Sequence, residues 1–100
     1  MYLSPTEDDR LRIFQAAQLA RAVQARGLPL NAPEAIALAC DEMHMAARAG
    51  ATHTEVLAAG RATLASADLI NEVAELIDAI RVEVLLDDGT RLIVLRGPWT

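Results

Sequence analysis

At three points in the chain a small polar residue stands three positions before a glutamate. The pairs are Ser4 and Glu7, Asn31 and Glu34, and Thr52 and Glu55. Such a pair forms a capping box, in which the two side chains satisfy backbone N–H groups that the first helical turn leaves without partners. Gly27 and Gly50, which accept the left-handed conformation, mark the ends of the first two helices. The pattern predicts helices over about residues 5–26, 32–49 and 53–65.

The first two helices are predicted to bury more than one face. In the first helix the large apolar residues do not gather on one side, which is typical of a helix covered from several directions. In the second helix one stripe is formed by Ile36, Cys40, Met43 and Ala47. Leu38 and Met45 lie nearly opposite this stripe, at about 100° per residue. The second helix is therefore predicted to be a central helix, or one shared with another chain.

The middle of the chain predicts a third helix containing a glycine, followed by a fourth helix. Gly60 costs about 1 kcal/mol relative to alanine inside a helix, so it predicts a close helix crossing or an early helix end. The fourth helix is predicted over about residues 68–78, with Ser66 or Asp68 as its cap, because apolar residues recur on one side at helical spacing. These residues are Leu69, Ile70, Val73, Leu76 and Ile77.

From Ile80 onward the apolar period changes from that of a helix to that of a strand. Apolar residues alternate with Arg81 and Glu83, as in a half-buried strand. The segment Asp87-Asp88-Gly89 predicts a tight turn with positive φ at its central residues, and hence a hairpin over about residues 80–96. Because an isolated hairpin is marginal in water, we expect one face to pack on the helices and the other to face a partner.

Length and composition narrow the class of protein. One hundred residues suit a single domain over residues 1–100, and the predicted fold class is α+β, mainly α, with four helices before a C-terminal antiparallel β-hairpin. The net charge of -5 and the scattered arginines argue against nucleic-acid binding. We find no signal peptide and no apolar run long enough to span a membrane, so a cytoplasmic location is expected. The apolar share of 53% in so short a chain favours a subunit of an assembly.

Four residues of the second helix form a candidate chemical cluster: Cys40, Asp41, Glu42 and His44. Cys40 and His44 are four residues apart, so a thiol–imidazole pair or two metal ligands are geometrically possible. Cys40, however, lies within the apolar stripe, where a lone cysteine usually behaves as a small apolar residue. Asp41 and Glu42 point about 100° apart, which excludes a joint acid/base role and favours a solvated or interface role.

The remaining candidates give no further site. His44 lies at the edge of the apolar stripe, where a structural role is expected, and His53 follows the Thr52 cap and is expected to be exposed. We find no Cys-x-x-Cys spacing, no glycine-rich phosphate loop and no nucleophile elbow. We therefore predict no catalytic, cofactor-binding or metal-binding residue in this chain.

Short motifs occur in order along essentially the whole chain. They are Leu3-Ser4-Pro5, Ala25-Arg26-Gly27-Leu28, Leu30-Asn31, Pro33-Glu34-Ala35, Asp41-Glu42, Ala47-Arg48, Gly50, Glu55, Val73-Ala74-Glu75, Val82-Glu83 and Asp88-Gly89-Thr90. In these motifs the sequence resembles the urease gamma subunit, the small chain of bacterial urease. The resemblance implies a helical domain with a C-terminal β-hairpin, which assembles with beta and alpha subunits into a trimer of heterotrimers. It also implies that urea is hydrolysed to ammonia and carbamate at a two-nickel centre in the large alpha subunit, and that the gamma chain supplies no nickel ligand.

The sequence departs from the usual pattern of that family at four places. The second helix ends with Met43-His44-Met45-Ala46 where an aliphatic pair followed by Glu-Gly is usual. Asn71-Glu72 replaces Glu-Gly, Asp78 stands at a common proline, and the tail Arg96-Gly97-Pro98-Trp99 replaces a His-containing ending. Trp99 is a candidate anchor at an interface, with a frayed tail as the alternative.

Three functional hypotheses follow. The first is a non-catalytic structural subunit of a cytoplasmic, nickel-dependent urease. The second is a free-standing interaction module that keeps the gamma fold outside an active urease. The third is an enzyme that uses Cys40 and His44.

Overall fold

The three long helices begin at the residues that the capping boxes predict. The computed structural model describes residues 3–97, and the elements in this range are α1 Pro5–Ala25, α2 Ala32–Arg48, α3 His53–Ser66, α4 Val73–Leu76, β1 Ala79–Leu86 and β2 Gly89–Arg96. In each box the cap side chain accepts from the glutamate N–H, and the glutamate carboxylate accepts from the N–H of the cap residue. The predicted fold class, mainly helical with a C-terminal antiparallel hairpin, is confirmed.

α2 lies at the centre of the fold and packs against α1, α3 and β1. Its contacts with these three elements confirm that it is a central helix. Leu38 and Met43, from opposite sides, are both buried, but Met45, predicted on the same side as Leu38, is exposed. α1 meets α2 through small residues, since Ala17 and Ala20 are the buried residues of α1. Small side chains let two helix backbones approach closely, so α1 lies near α2 without burying a large side chain of its own.

Gly60 marks a close crossing, the first of its two predicted roles. A Cβ atom added to Gly60 would lie 2.7 Å from Sδ of Met43 and 3.1 Å from Cδ2 of Leu95. α3 continues past this residue to Ser66. The missing side chain therefore lets α3 pack directly on α2 and β2.

The predicted fourth helix over residues 68–78 is wrong in extent, because α4 is a single turn. The N–H of Leu30 donates to the carbonyl of Asp68 at 2.8 Å, and the N–H of Ile70 donates to the carbonyl of Leu30 at 2.9 Å. These bonds form a parallel bridge between Leu30 and Leu69. They hold the start of the predicted helix in an extended conformation.

The predicted one-sided apolar face of the fourth helix is wrong as well. Val73 and Ile77 are buried, but Ile70 and Leu76 are exposed. Neither predicted cap acts at α4: Ser66 is the last residue of α3, and the N-cap of α4 is Glu72, whose side chain makes no capping hydrogen bond.

Glu72 is the one non-glycine residue with positive φ among residues 3–97. Its φ is 77° and its ψ is -5°, in the left-handed region that costs an L-residue roughly 1–2 kcal/mol. This is the position where the resemblance leads us to expect glycine, which has no Cβ to strain. The departure at Asn71-Glu72 therefore introduces local backbone strain.

The hairpin pairs β1 with β2 from Ala79 and Arg96 to Leu86 and Gly89. Gly89 has a φ of 117°, whereas Asp87 and Asp88 both have negative φ. The prediction of positive φ for the Asp-Gly pair is therefore right at Gly89 and wrong at Asp88. The face of the hairpin turned toward the helices is formed by Ile80, Val82, Val84, Leu86, Ile93 and Leu95, all buried.

The prediction that α1 is buried on several sides does not hold within this chain. Leu11, Phe14 and Leu19 are exposed, because α1 packs against α2 and leaves its other sides open. None of the helices between residues 3 and 97 has the length and apolar character needed to cross a bilayer. Trp99, the candidate anchor in the tail, lies outside the described residues.

Candidate functional site

Cys40 is part of the core and not a reactive thiol. Its side chain is buried, and burial, followed by the nearby charge of Asp41, raises the pKa of the thiol to about 11. A thiol with so high a pKa stays protonated at neutral pH, and the thiolate is the nucleophilic form. Cys40 and His44 therefore do not form a thiolate–imidazolium pair.

Asp41 is fully buried, so the expectation that it is solvated or at an interface is wrong. Arg10 Nη1 donates to Oδ1 of Asp41 at 2.8 Å, and Arg21 Nη2 donates to Oδ2 at 2.6 Å. Burial alone raises the pKa of Asp41, but the hydrogen bonds from Arg21 and Arg10 outweigh it and the pKa is lowered. Both carboxylate oxygens are thus occupied by guanidinium groups from α1.

Arg21 binds both Asp41 and Glu42, whose side chains point about 100° apart around α2. Besides Asp41, its Nη2 donates to Oε1 of Glu42 at 2.8 Å, and its Nη1 donates to Oε1 of Gln18 at 2.5 Å. The Asp41 hydrogen bond is the largest effect that raises the pKa of Arg21. The arrangement connects α1 to α2 and leaves neither oxygen of the Asp41 carboxylate free.

Arg10 and Arg21 are the site residues that the sequence analysis missed. They are eleven positions apart, about three helical turns, and so lie on one stripe of α1. This spacing was a usable signal that the two guanidinium groups share a direction. It did not show that a single carboxylate on the next helix would lie between them.

His44 is half-buried on α2, near Arg10 of α1. Its Nε2 atom is buried and has no hydrogen-bond partner. Burial, followed by the charge of Arg10, lowers the pKa of His44 although Asp41 acts in the opposite direction. The imidazole is therefore neutral at pH 7, with one polar atom that nothing within residues 3–97 satisfies.

The geometry of residues 3–97 does not fit a nickel centre. In this range no three His, Cys, Asp or Glu side chains come together in a group that could hold a metal ion. His53 is exposed at the start of α3, as expected. That the chain supplies no catalytic or metal-binding residue stays a prediction.

A second feature is the number of large apolar side chains that remain on the surface. Within residues 3–97 they are Leu3, Leu11, Phe14, Leu19, Leu28, Met45, Ile70, Leu76, Leu85 and Leu92. Single exposed apolar residues are normal, whereas contiguous ones mark interaction surfaces. Leu85 and Leu92 lie on the outer face of the hairpin, the face expected to meet a partner.

Comparison with known proteins identifies the family of the chain. The family described as urease, gamma subunit, matches residues 1–99. The chain is 50% identical over 98 residues to the urease subunit gamma/beta of Streptomyces avermitilis, and 47% identical over 98 residues to that of Streptomyces coelicolor. Each match covers 98% of this chain and 43% of the relative, so the chain spans less than half the length of these relatives. The chain belongs to the urease gamma subunit family.

Proposed function

We propose that this chain is a non-catalytic structural subunit of a nickel-dependent urease. In the proposed complex it assembles with beta and alpha subunits as a trimer of heterotrimers in the cytoplasm. Urea is hydrolysed to ammonia and carbamate in the alpha subunit, at two nickel ions. The observation that carries the proposal is the family match over residues 1–99.

The side chains that resembled a chemical site support a structural role. Cys40 is buried with a raised pKa, and Asp41 is enclosed by two arginines. His44 is neutral and half-buried. Asp41 holds α1 on α2 through its two arginines, and the protonated thiol of Cys40 is buried in the core, so neither is available to react.

The surface supports assembly with other chains. Large apolar side chains are exposed on α1 and on the outer face of the hairpin. Full burial of one such side chain contributes about 1.5–3 kcal/mol. Contact with partner subunits would cover part of this apolar surface, which the fold of the chain alone leaves in water.

The test is co-expression of this chain with its cognate beta and alpha subunits and with the nickel-insertion proteins that load urease. We expect all three subunits to elute together from a size-exclusion column and to hydrolyse urea, and we expect the isolated chain to hydrolyse none. Omission of this chain should reduce both the size of the complex and its activity. Unchanged assembly and activity without it would refute the proposal, and a stable chain that ignores both partners would favour the free-standing module.

A further inference from the structure

The exposed apolar side chains are concentrated in one groove. It has a volume of about 730 Å³ and lies between the N-terminal half of α1, the end of α2 and the part of the hairpin next to its turn. Five of the ten exposed large apolar residues within residues 3–97 line it: Leu3, Leu11, Phe14, Met45 and Leu85. Aromatic residues, methionine and arginine are enriched at protein interfaces, and this groove contains all three.

Some polar groups of the groove have hydrogen-bond or ion-pair partners within residues 3–97, and others do not. Glu7 accepts from the N–H of Ser4, and Arg10 is paired with Asp41. By contrast, Arg48 and Glu83 line the groove and have no ion-pair partner within residues 3–97. His44 also lines it, and its buried Nε2 has no hydrogen-bond partner.

We infer that this groove receives an amphipathic segment of a partner urease subunit. The segment places large apolar side chains between α1 and the hairpin and a carboxylate at Arg48. A basic group of the same segment lies opposite Glu83. This inference rests on the proposed function and specifies which surface of the chain makes the contact.

A polypeptide fits the groove better than other occupants because it supplies all of these groups on one backbone. A purely apolar small molecule would cover Arg48 and Glu83 without pairing them, and burying an unpaired charge is costly. An anionic membrane surface would be repelled by Glu83 and by the net charge of -5. Charges of both signs around an apolar centre match the anatomy of a protein interface, with its polar rim and apolar core.

The experiment measures the affinity of purified chain variants for a purified complex of the cognate beta and alpha subunits. Leu11→Asp places a charge in the groove. Leu19→Asp is the matched control, because Leu19 is an equally exposed leucine of α1 (58% against 47%) that does not line the groove. We expect the first variant to bind roughly tenfold or more weakly, as for a hot-spot residue, and the second to bind within about threefold of wild type. Circular dichroism and thermal unfolding check that both variants fold.

The outcomes distinguish the two proposals. If the wild-type chain does not bind beta and alpha subunits, the proposed function fails and the groove inference fails with it. If the wild type binds but Leu11→Asp and Leu19→Asp bind equally well or equally poorly, only the groove inference fails. If the isolated chain dimerises and Leu11→Asp abolishes the dimer, the occupant is a second copy of this chain and the inference is overturned.

Discussion

Replacing Glu72 by glycine should stabilise the protein, although it removes a side chain. The φ of 77° at this residue costs an L-residue about 1–2 kcal/mol, and glycine avoids this cost. The substitution also gives the unfolded chain more freedom, which costs about 0.4–1 kcal/mol. The Glu72 side chain is exposed and makes no capping hydrogen bond, so no contact is lost. The net expectation is a gain of about 0.5–1 kcal/mol in the free energy of unfolding, or roughly 2–6 °C in Tm.

Two controls separate the backbone effect from other causes. Glu72→Ala removes the same carboxylate but keeps Cβ, so it should give none of the gain. Asn71→Gly places glycine at the neighbouring exposed residue, whose φ is negative, and it should lower stability by about 0.4–1 kcal/mol because it gives the unfolded chain more freedom. Urea unfolding followed by circular dichroism measures all three variants. A Glu72→Gly variant no more stable than wild type, or an equal gain in Glu72→Ala, would refute the argument from backbone strain.

Three further predictions concern the core. Asp41→Ala should lower the free energy of unfolding, measured in urea, by about 3 kcal/mol, because it leaves two arginines without their buried partner. Glu42→Ala removes a half-exposed carboxylate and should lower it by less than about 1 kcal/mol. Gly60→Ala should lower the free energy of unfolding by about 1 kcal/mol, since the overlap of the new Cβ with Met43 outweighs the better helix propensity of alanine. In a protein that also carries Met43→Ala, this loss of stability should shrink or become a gain. The lowered pKa of His44 means that below pH 6.5 the unfolded chain binds a proton that the folded chain does not. Stability should therefore fall as pH drops below 6.5 toward the lowered pKa of the folded protein, by at most about 1.4 kcal/mol per pH unit for this one group, and His44→Leu should flatten that slope. A slope that survives in His44→Leu would assign the pH dependence to other groups.

Features decided within a few residues could be predicted from the sequence. Each capping box needs only a cap residue and a glutamate three positions later, and all three formed. Features decided by distant residues could not be predicted in this way. The stretch from Asp68 to Ile70 has helical apolar spacing, but its backbone bonds to Leu30. A bond between segments so far apart in sequence leaves no trace in local periodicity.

The candidate site shows the same division between local and distant information. The spacing of Cys40, Asp41 and Glu42 on α2 could be read directly, including the divergence of the two carboxylates. The burial of Asp41 depends on Arg10 and Arg21, which lie 31 and 20 residues away. A helical wheel shows that the arginines share a stripe of α1. Only the packing of α1 on α2 shows that this stripe faces Asp41.

The contact between α1 and α2 also explains why large apolar side chains of α1 remain exposed. Alanines such as Ala17 and Ala20 bring the helices together but bury little apolar surface, so they fix the position of α1 along α2 only weakly. Asp41, held by arginines three turns apart, opposes sliding in both directions. The N-terminal half of α1 forms one wall of the groove that contains Leu11, and Arg10, which pairs with Asp41, lines the same groove. A polar connection within the chain thus positions the apolar surface proposed to meet a partner.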